Sequence, residues 1–417
     1  MYRIYTSVKA IFYRVASIWE NPFWGGLLAF VVYLAYALHT NPSLSASSVN
    51  YHNYLADAFL HGQVNLRLVP PETQLDLSVF DQKFFLYWPP LPAILLMPFV
   101  AVFGVGFSDT FVTLAVSTLN VALVAVLFRS LNKKEIARLT AFQRSLLVLF
   151  FAFGTVNFTV APYGTVWFTS SAFGFLFSIM AYIAAIVMNG RKGFFVTGLC
   201  VACAMMSRST FIFVGLWPAY YLISKNINGE RKKLLIYSFY GILPVLVAGL
   251  LFLDYNWLRF GNPFELGTTY QNMAAELRKS VDKFGYFSPH YIKTNIYYQY
   301  IYYPFPETAE TLMGGSLFLL SPVFLIAFLG LIKGRPRLSV FLLLFTILLI
   351  DIPILLNFGT GWFQFGPRYT LDFTVPLLIL TAIGVQSIPD WLLIILSLIS
   401  AAHFYKGMSI LNMIWRR

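Results

Sequence analysis

Charge is scarce in this chain, and acidic charge scarcest. Only 11% of its 417 residues are charged, and 17 Asp and Glu stand against 29 Lys and Arg. An ordinary soluble domain carries about 25% charged residues. With 58% hydrophobic residues and a mean hydropathy of +0.70, the chain is excluded from the class of water-soluble globules. Cysteine is almost missing. Cys200 and Cys203, spaced C-x-x-C inside an apolar run, rule out a disulfide scaffold. A redox pair needs an exposed, electropositive setting, so these two read as small packing residues. There is no Walker loop, no GxGxxG after a strand, no HExxH and no GxSxG. Internal repeats are absent too, which weighs against a transporter built on inverted repeats.

What the chain does have is long apolar runs separated by small basic clusters. The clusters are Arg3/Lys9/Arg14, Arg129/Lys133/Lys134/Arg138/Arg144, Arg191/Lys192, Lys225/Arg231/Lys232/Lys233 and Lys333/Arg335/Arg337. The net charge of +12 is dealt out at helix ends. A nucleic-acid binder gathers its charge on one face or stripe, so no nucleic-acid partner is expected. Short basic loops stay cytoplasmic during insertion. A spanning helix needs about 20 apolar residues. The expected fold is therefore an all-α polytopic integral membrane protein with about eleven transmembrane helices, forming one domain over residues 1–417. Spans are expected near 23–40, 108–128, 143–161, 166–188, 194–207, 210–224, 234–254, 313–332, 338–357, 371–387 and 391–408. The run Phe23–Leu38 lacks a small-residue cleavage site and reads as the first span, not a signal peptide. With the N-terminus cytoplasmic, every basic cluster falls inside, provided that Pro89–Gly104 does not cross. Pro89, Pro90, Pro92 and Pro98 suit that run to an interfacial helix on the outer face.

This parity exposes two long loops, about 40–92 and 255–312, and a shorter one, Phe358–Thr370. They are dense in aromatic residues, which argues against disorder. Tyr51–Gly62 reads as a short amphipathic helix closed by glycine. In the first loop, Asp57, Asp76 and Asp81 are candidate general bases, with His52 and Trp88 as candidate substrate contacts. Oxygen ligands there leave room for a divalent cation, Mg or Mn, without requiring one. The break Ser207-Arg208-Ser209-Thr210 puts an arginine at membrane depth, costly by about 2.5–3.5 kcal/mol on insertion scales, and so a functional candidate. Arg259 and Arg368, the latter followed by Tyr369, stand at the outward ends of other spans among aromatic residues. An aromatic belt with anchoring arginines would explain either one alone. Three converging on one face would suit the phosphate of an anionic lipid. The tyrosines Tyr291, Tyr297, Tyr298, Tyr300, Tyr302 and Tyr303 suit either headgroups or sugar faces.

Taken together, the segments LADAFLHG (55–62), YWPPLPAILLMPF (87–99), MSRST (206–210), YNWLRFGNPFELG (255–267) and FGPRYTLDFTVP (365–376) resemble the GT-C superfamily of membrane glycosyltransferases. The likeness is to bacterial relatives of protein O-mannosyltransferases and of the aminoarabinose transferase. It covers most of the chain and is one of layout. It implies transfer of a sugar from a polyprenyl-phosphate donor to an acceptor on the outer face of a bacterial plasma membrane, within the cell envelope. The family's early Asp-Glu pair would fall here on Ser48-Val49. The base then passes to Asp76, Asp81 or Asp57, with Arg208, Arg259 and Arg368 on the lipid phosphate. Two rival readings remain. A lipid-linked sugar flippase would use mid-span Asp351, Gln386 and Arg208, whereas a non-catalytic lipid-binding scaffold would need no base.

Overall fold

The computed structural model describes residues 18–227 and 229–415. The N-terminal basic cluster Arg3/Lys9/Arg14 lies outside them. Among the described residues, eight helical segments are long and apolar enough to cross a membrane. They are Pro22–Thr40, Asp109–Lys133, Ala141–Val160, Val166–Val187, Arg231–Phe260, Arg337–Leu356, Arg368–Val385 and Asp390–Met413. The chain is a predominantly helical integral membrane protein.

The remaining expected spans are built from shorter pieces. The run 194–207 belongs to a 16-residue helix, Gly190–Met205, and 210–224 to a 3-10 turn, Ser209–Gly215, followed by Leu216–Asn226. The run 313–332 is broken by Ser321-Pro322 into Leu317–Leu320, Pro322–Leu325 and Ile326–Lys333. Proline offers no N–H to continue a helix, and the hydroxyl of Ser321 bonds the Gly154 carbonyl instead. The count of about eleven is thus not reached by length and composition. The proline-rich run forms the 13-residue helix Leu91–Phe103, about 20 Å long at 1.5 Å per residue and short of a 30 Å hydrocarbon core.

Glycine sets two close crossings. A Cβ on Gly198 would lie 2.0 Å from the Gly241 carbonyl oxygen, and one on Gly330 would lie 2.0 Å from that of Leu380. Small residues let backbones approach in lipid, where packing rather than water drives association. Along most of its length the helix Arg231–Phe260 is bare, with Leu235, Ile242 and Leu250 exposed, and it packs closely again at its last turn through Tyr255, Arg259 and Phe260. By contrast, Arg368–Val385 runs through the centre of the core, with Leu378, Ile379 and Leu380 buried.

At one end the connections are long and stitched together. Ser78–Phe80 and Lys83–Phe85 pair antiparallel, with Val79 opposite Phe84. Their two-residue turn is Asp81-Gln82, φ 49° and 57°, the left-handed pair that a type I′ hairpin demands. Single bridges join Ser78 to Gln271 and Phe287 to Asn357. Met313–Gly314 runs parallel to Gln364–Phe365. Segments far apart in sequence are thereby held over the same ends of the helices.

Candidate functional site

Beneath these stitched loops lies an open cavity of about 310 Å³. Its polar wall includes Tyr87, Trp88, Arg208, Ser209, Thr210 and Tyr369. Phe213, Phe252, Leu266, Phe287, Pro353 and Ile354 make its apolar side. Such a shape accepts a molecule with a charged head and a hydrocarbon body.

Arg208 reaches the wall because the helix Gly190–Met205 stops one turn earlier. Its own backbone is extended, φ −155° and ψ 128°, before the 3-10 turn begins. The Met206 carbonyl, freed at that stop, accepts from the N–H of Leu91 and ties the proline-rich helix to the break. Arg208 Nε donates to Asp372 Oδ2 at 3.0 Å and Nη1 to Ser171 Oγ at 3.2 Å. Thr210 Oγ1 donates to the same Asp372 oxygen at 2.6 Å. Asp372 is fully buried, so this pairing is what permits its charge. A guanidinium has five N–H donors, more than these partners take, and Arg208 lines the cavity.

Tyr369 links this arginine to the next. The guanidinium of Arg208 lies 5.2 Å from the Tyr369 ring centroid, and that of Arg368 lies 5.1 Å from it. Arg368 is buried behind the wall. Its Nη1 donates to the carbonyls of Gly361 and Trp362, both at 3.1 Å, and its Nε has no partner. It also sits 5.6 Å from the ring centroid of Trp167. Trp167 Nε1 donates to Asp76 Oδ2 at 3.1 Å, and Gln271 Nε2 donates to Asp76 Oδ1 at 2.6 Å. Asp76, Trp167, Arg368, Tyr369, Arg208 and Asp372 therefore form one contiguous chain of side chains. Burial pushes the Asp76 carboxyl above its ordinary value, against the opposing pull of Gln271, Arg368 and Trp167. A carboxylate raised in this way is a better proton acceptor near neutral pH. Gln271 also contacts the Tyr87 hydroxyl at 3.3 Å. Burial drives that hydroxyl well above its usual range, so Tyr87 presents a neutral O–H to the cavity.

The other expected site residues are placed differently. Arg259 does not line the cavity. It is 2% exposed and donates through Nη1 to the Leu86 carbonyl at 2.6 Å, with Nη2 on Asn256 and the Tyr255 ring 4.1 Å away. Its work is to fix the chain just before Tyr87 and Trp88. Asp81 stands exposed at the hairpin turn, where its left-handed backbone explains its presence. Asp57 is held in a two-point pair by Arg67, 2.9 Å on each oxygen. His52 is buried against Ser170, 2.8 Å from Nε2 to Oγ. Burial lowers its pKa to about 3, which leaves it a neutral packing group. Trp88 and Tyr369 do line the cavity.

Asp372, Trp167, Ser171 and Gln271 were not among the expected site residues. Asp372 did leave a signal, a carboxylate four residues after Arg368 at the head of an apolar run. The other three left none. Among the described residues no three His, Cys, Asp or Glu side chains gather to hold a metal ion. The donor set does not fit a dedicated Mg or Mn site. Asp351 and Gln386, expected as mid-span residues of a transport pathway, are placed otherwise: Gln386 is exposed at the end of its helix, just after Val385, and Asp351 is buried in side-chain pairs. Asp351 accepts from Gln299 and Tyr300, both at 2.6 Å, and Gln386 accepts from the Arg138 backbone at 3.1 Å.

Fold and site together define a mainly helical integral membrane protein with an amphipathic cavity under its loops and Arg208 on its wall. No family model and no curated protein sequence matches the chain. Among solved structures, it is similar to the crystal structure of ArnT from Cupriavidus metallidurans bound to undecaprenyl phosphate, at 12% identity and a TM-score of 0.49. The match covers 88% of this chain and 60% of that one, so the chain spans less than two thirds of that protein's length.

Proposed function

We propose that this protein is a GT-C-like glycosyltransferase that moves a sugar from a polyprenyl-phosphate donor to an acceptor hydroxyl on the outer face of a bacterial plasma membrane. The observation that carries the reading is Arg208, a cation with spare donors, on the wall of a cavity otherwise largely apolar. The lipid phosphate pairs with Arg208, and the first isoprene units follow the wall of Phe213, Phe252 and Ile354. Membrane lipids surround the rest. The N-terminus is cytoplasmic, the segments 40–92 and 255–312 face outward, and the broken helices complete about eleven crossings.

In the reaction Asp76 accepts the proton of the acceptor hydroxyl as its oxygen attacks the anomeric carbon. The bond from that carbon to the phosphate oxygen breaks, and negative charge collects on the departing lipid phosphate. Arg208 stabilises that charge directly, and Arg368 adds to the field from behind Tyr369. One well-aimed donor in a water-poor site contributes about 3–4 kcal/mol to such a step. Arg259 acts as a positioning residue through the Leu86 carbonyl. No step is routed through a metal.

The test follows the donor. Membranes with and without the protein are extracted, and polyprenyl-phosphate-sugar is quantified by mass spectrometry. The donor pool should fall with the wild type and hold with Arg208→Ala. An unchanged pool across all sugar donors offered, with purified protein present, defeats the reading.

A further inference from the structure

The charges around the cavity specify the kind of sugar. We propose that the group carried on the lipid phosphate is an uncharged, polyhydroxylated ring and that the cavity discriminates against amino sugars. This rests on reading the cavity as the donor-lipid site.

An ammonium group entering an aromatic, largely apolar cavity needs a carboxylate. Among the residues lining it none is acidic, and the charged one is the cation Arg208. Five carboxylates lie close by, and none is on the wall. Asp372 is fully buried, with Oδ2 taking both Arg208 and Thr210. Asp76 is held by Trp167 and Gln271 outside the lining, and meets the sugar only through the acceptor hydroxyl whose proton it takes. Asp351, two residues before Pro353 on the wall, is held by Gln299 and Tyr300. Glu265, beside Leu266, accepts from the Gly267 N–H at 2.6 Å and from Thr269 at 2.8 Å. Asp254 is exposed and follows Phe252 by two positions, about 200° round the helix.

Nor do the rings supply a free cation site. Tyr369 already has both guanidinium groups near it, and Tyr87 covers Trp88 with centroids 3.9 Å apart. The polar groups that do face the space are neutral. Tyr87, Ser209, Thr268, Tyr286 and Asn357 offer hydroxyls and one carboxamide. These both donate and accept, as sugar hydroxyls do.

The experiment is a competition read by native mass spectrometry on the purified full-length protein in detergent. Equal amounts of polyprenyl phosphate, polyprenyl-phosphate-hexose and the matching polyprenyl-phosphate-aminohexose are offered together. The hexose form should be retained at least about tenfold over the aminohexose form, a gap that one uncompensated charge easily produces. Asn357→Asp then places an isosteric carboxylate on the wall beside Tyr286, and the ratio should fall towards unity or invert. The wild-type competition stands by itself if that variant does not fold. Equal or preferential retention of the aminohexose form by the wild type overturns the proposal while leaving the donor-site reading intact. Retention of none of the three polyprenyl lipids above an ordinary phospholipid overturns both.

Discussion

Replacing Arg208 by methionine should destabilise the protein by about 3–5 kcal/mol, because it strands a buried carboxylate. The figure can be built from the contacts. Nε and Nη2 both lie 3.0 Å from Asp372 Oδ2. At an effective dielectric of about 20, unit charges roughly 3.5 Å apart attract by about 5 kcal/mol. The Asp372 side chain has no exposure and that of Arg208 only 11%, so solvent screens little of it. The Ser171 hydrogen bond adds about 1 kcal/mol that is also lost, and the desolvation of Arg208 that the variant no longer has to meet brings the net back to that range.

The second half of the cycle is Asp372→Asn. An asparagine oxygen still accepts from Thr210, so in the Arg208→Met background this change should recover more than half of the loss. The coupling energy between the two sites should exceed about 2 kcal/mol, the range of residues that share a network. Unfolding of the purified protein in mixed micelles, followed by denaturant titration, measures all four corners. Donor-lipid binding should be lost in Arg208→Met and stay lost in the double variant, since stability returns but the cation does not. Additive effects, with a coupling under about 0.5 kcal/mol, would refute the claim that the pair is one electrostatic unit. Recovery of binding in the double variant would refute the claim that Arg208 meets the phosphate.

Other outcomes follow from the same contacts. Asp76→Asn should leave donor binding within about threefold of wild type and lower kcat by 10² or more, the usual reach of a positioned base; single-turnover assays separate the two. Asp57→Asn should keep full turnover and cost about 1 kcal/mol or less, because Arg67 is more than one third exposed and the pair is screened. His52 has a native pKa below its ordinary value, so its stabilising contribution is complete above pH 6.5 and is lost as pH falls towards about 3. His52→Gln should flatten acid unfolding across that window, which a pH series of thermal melts would show.

Much of this architecture is written in local patterns, and its limits are physical. Lipid demands that each crossing satisfy its own backbone, so long apolar runs such as 109–133 and 231–260 are unmistakable. The interruption at Ser207–Ser209 and the prolines of 89–98 are equally plain. What the residues could not reveal was which acid would be free. Asp57 and Asp76 look alike in sequence. They differ because the loop folds back, with the Leu66 N–H on the Phe84 carbonyl, and brings Arg67 onto Asp57. Trp167 reads as an ordinary aromatic at the head of a span. The N–H of Val166 bonds the Val49 carbonyl, which seats the next residue against Asp76. Arg259 and Arg368 share the same kind of flank, yet one points at a Leu86 carbonyl and the other at Tyr369 and the loop carbonyls. The most telling of these choices are made by pairings as distant as Trp167 with Asp76, 91 residues apart, and Arg259 with Leu86, 173 apart, which no local pattern records.

The chain from Asp76 to Asp372 holds two arginines and two aspartates, and it is neutral when both acids are ionised. A donor phosphate entering beside Arg208 makes the cluster net negative. Added negative charge raises the pKa of a neighbouring carboxyl, so donor binding should push Asp76 further up from a value that burial has already raised. The site would thus gain basicity only once the sugar to be transferred is in place. The consequence is visible in the pH profile, because kcat/KM reports the free enzyme and kcat the donor-bound complex. The acid limb of kcat should lie at higher pH than that of kcat/KM, and both should lie above the ordinary Asp value of about 3.9. In Arg368→Met, which removes a charge that now lowers the Asp76 pKa, both limbs should move higher again. Limbs that coincide, or that move down on donor saturation, would show that Asp76 does not sense the phosphate and would assign the proton transfer to another group.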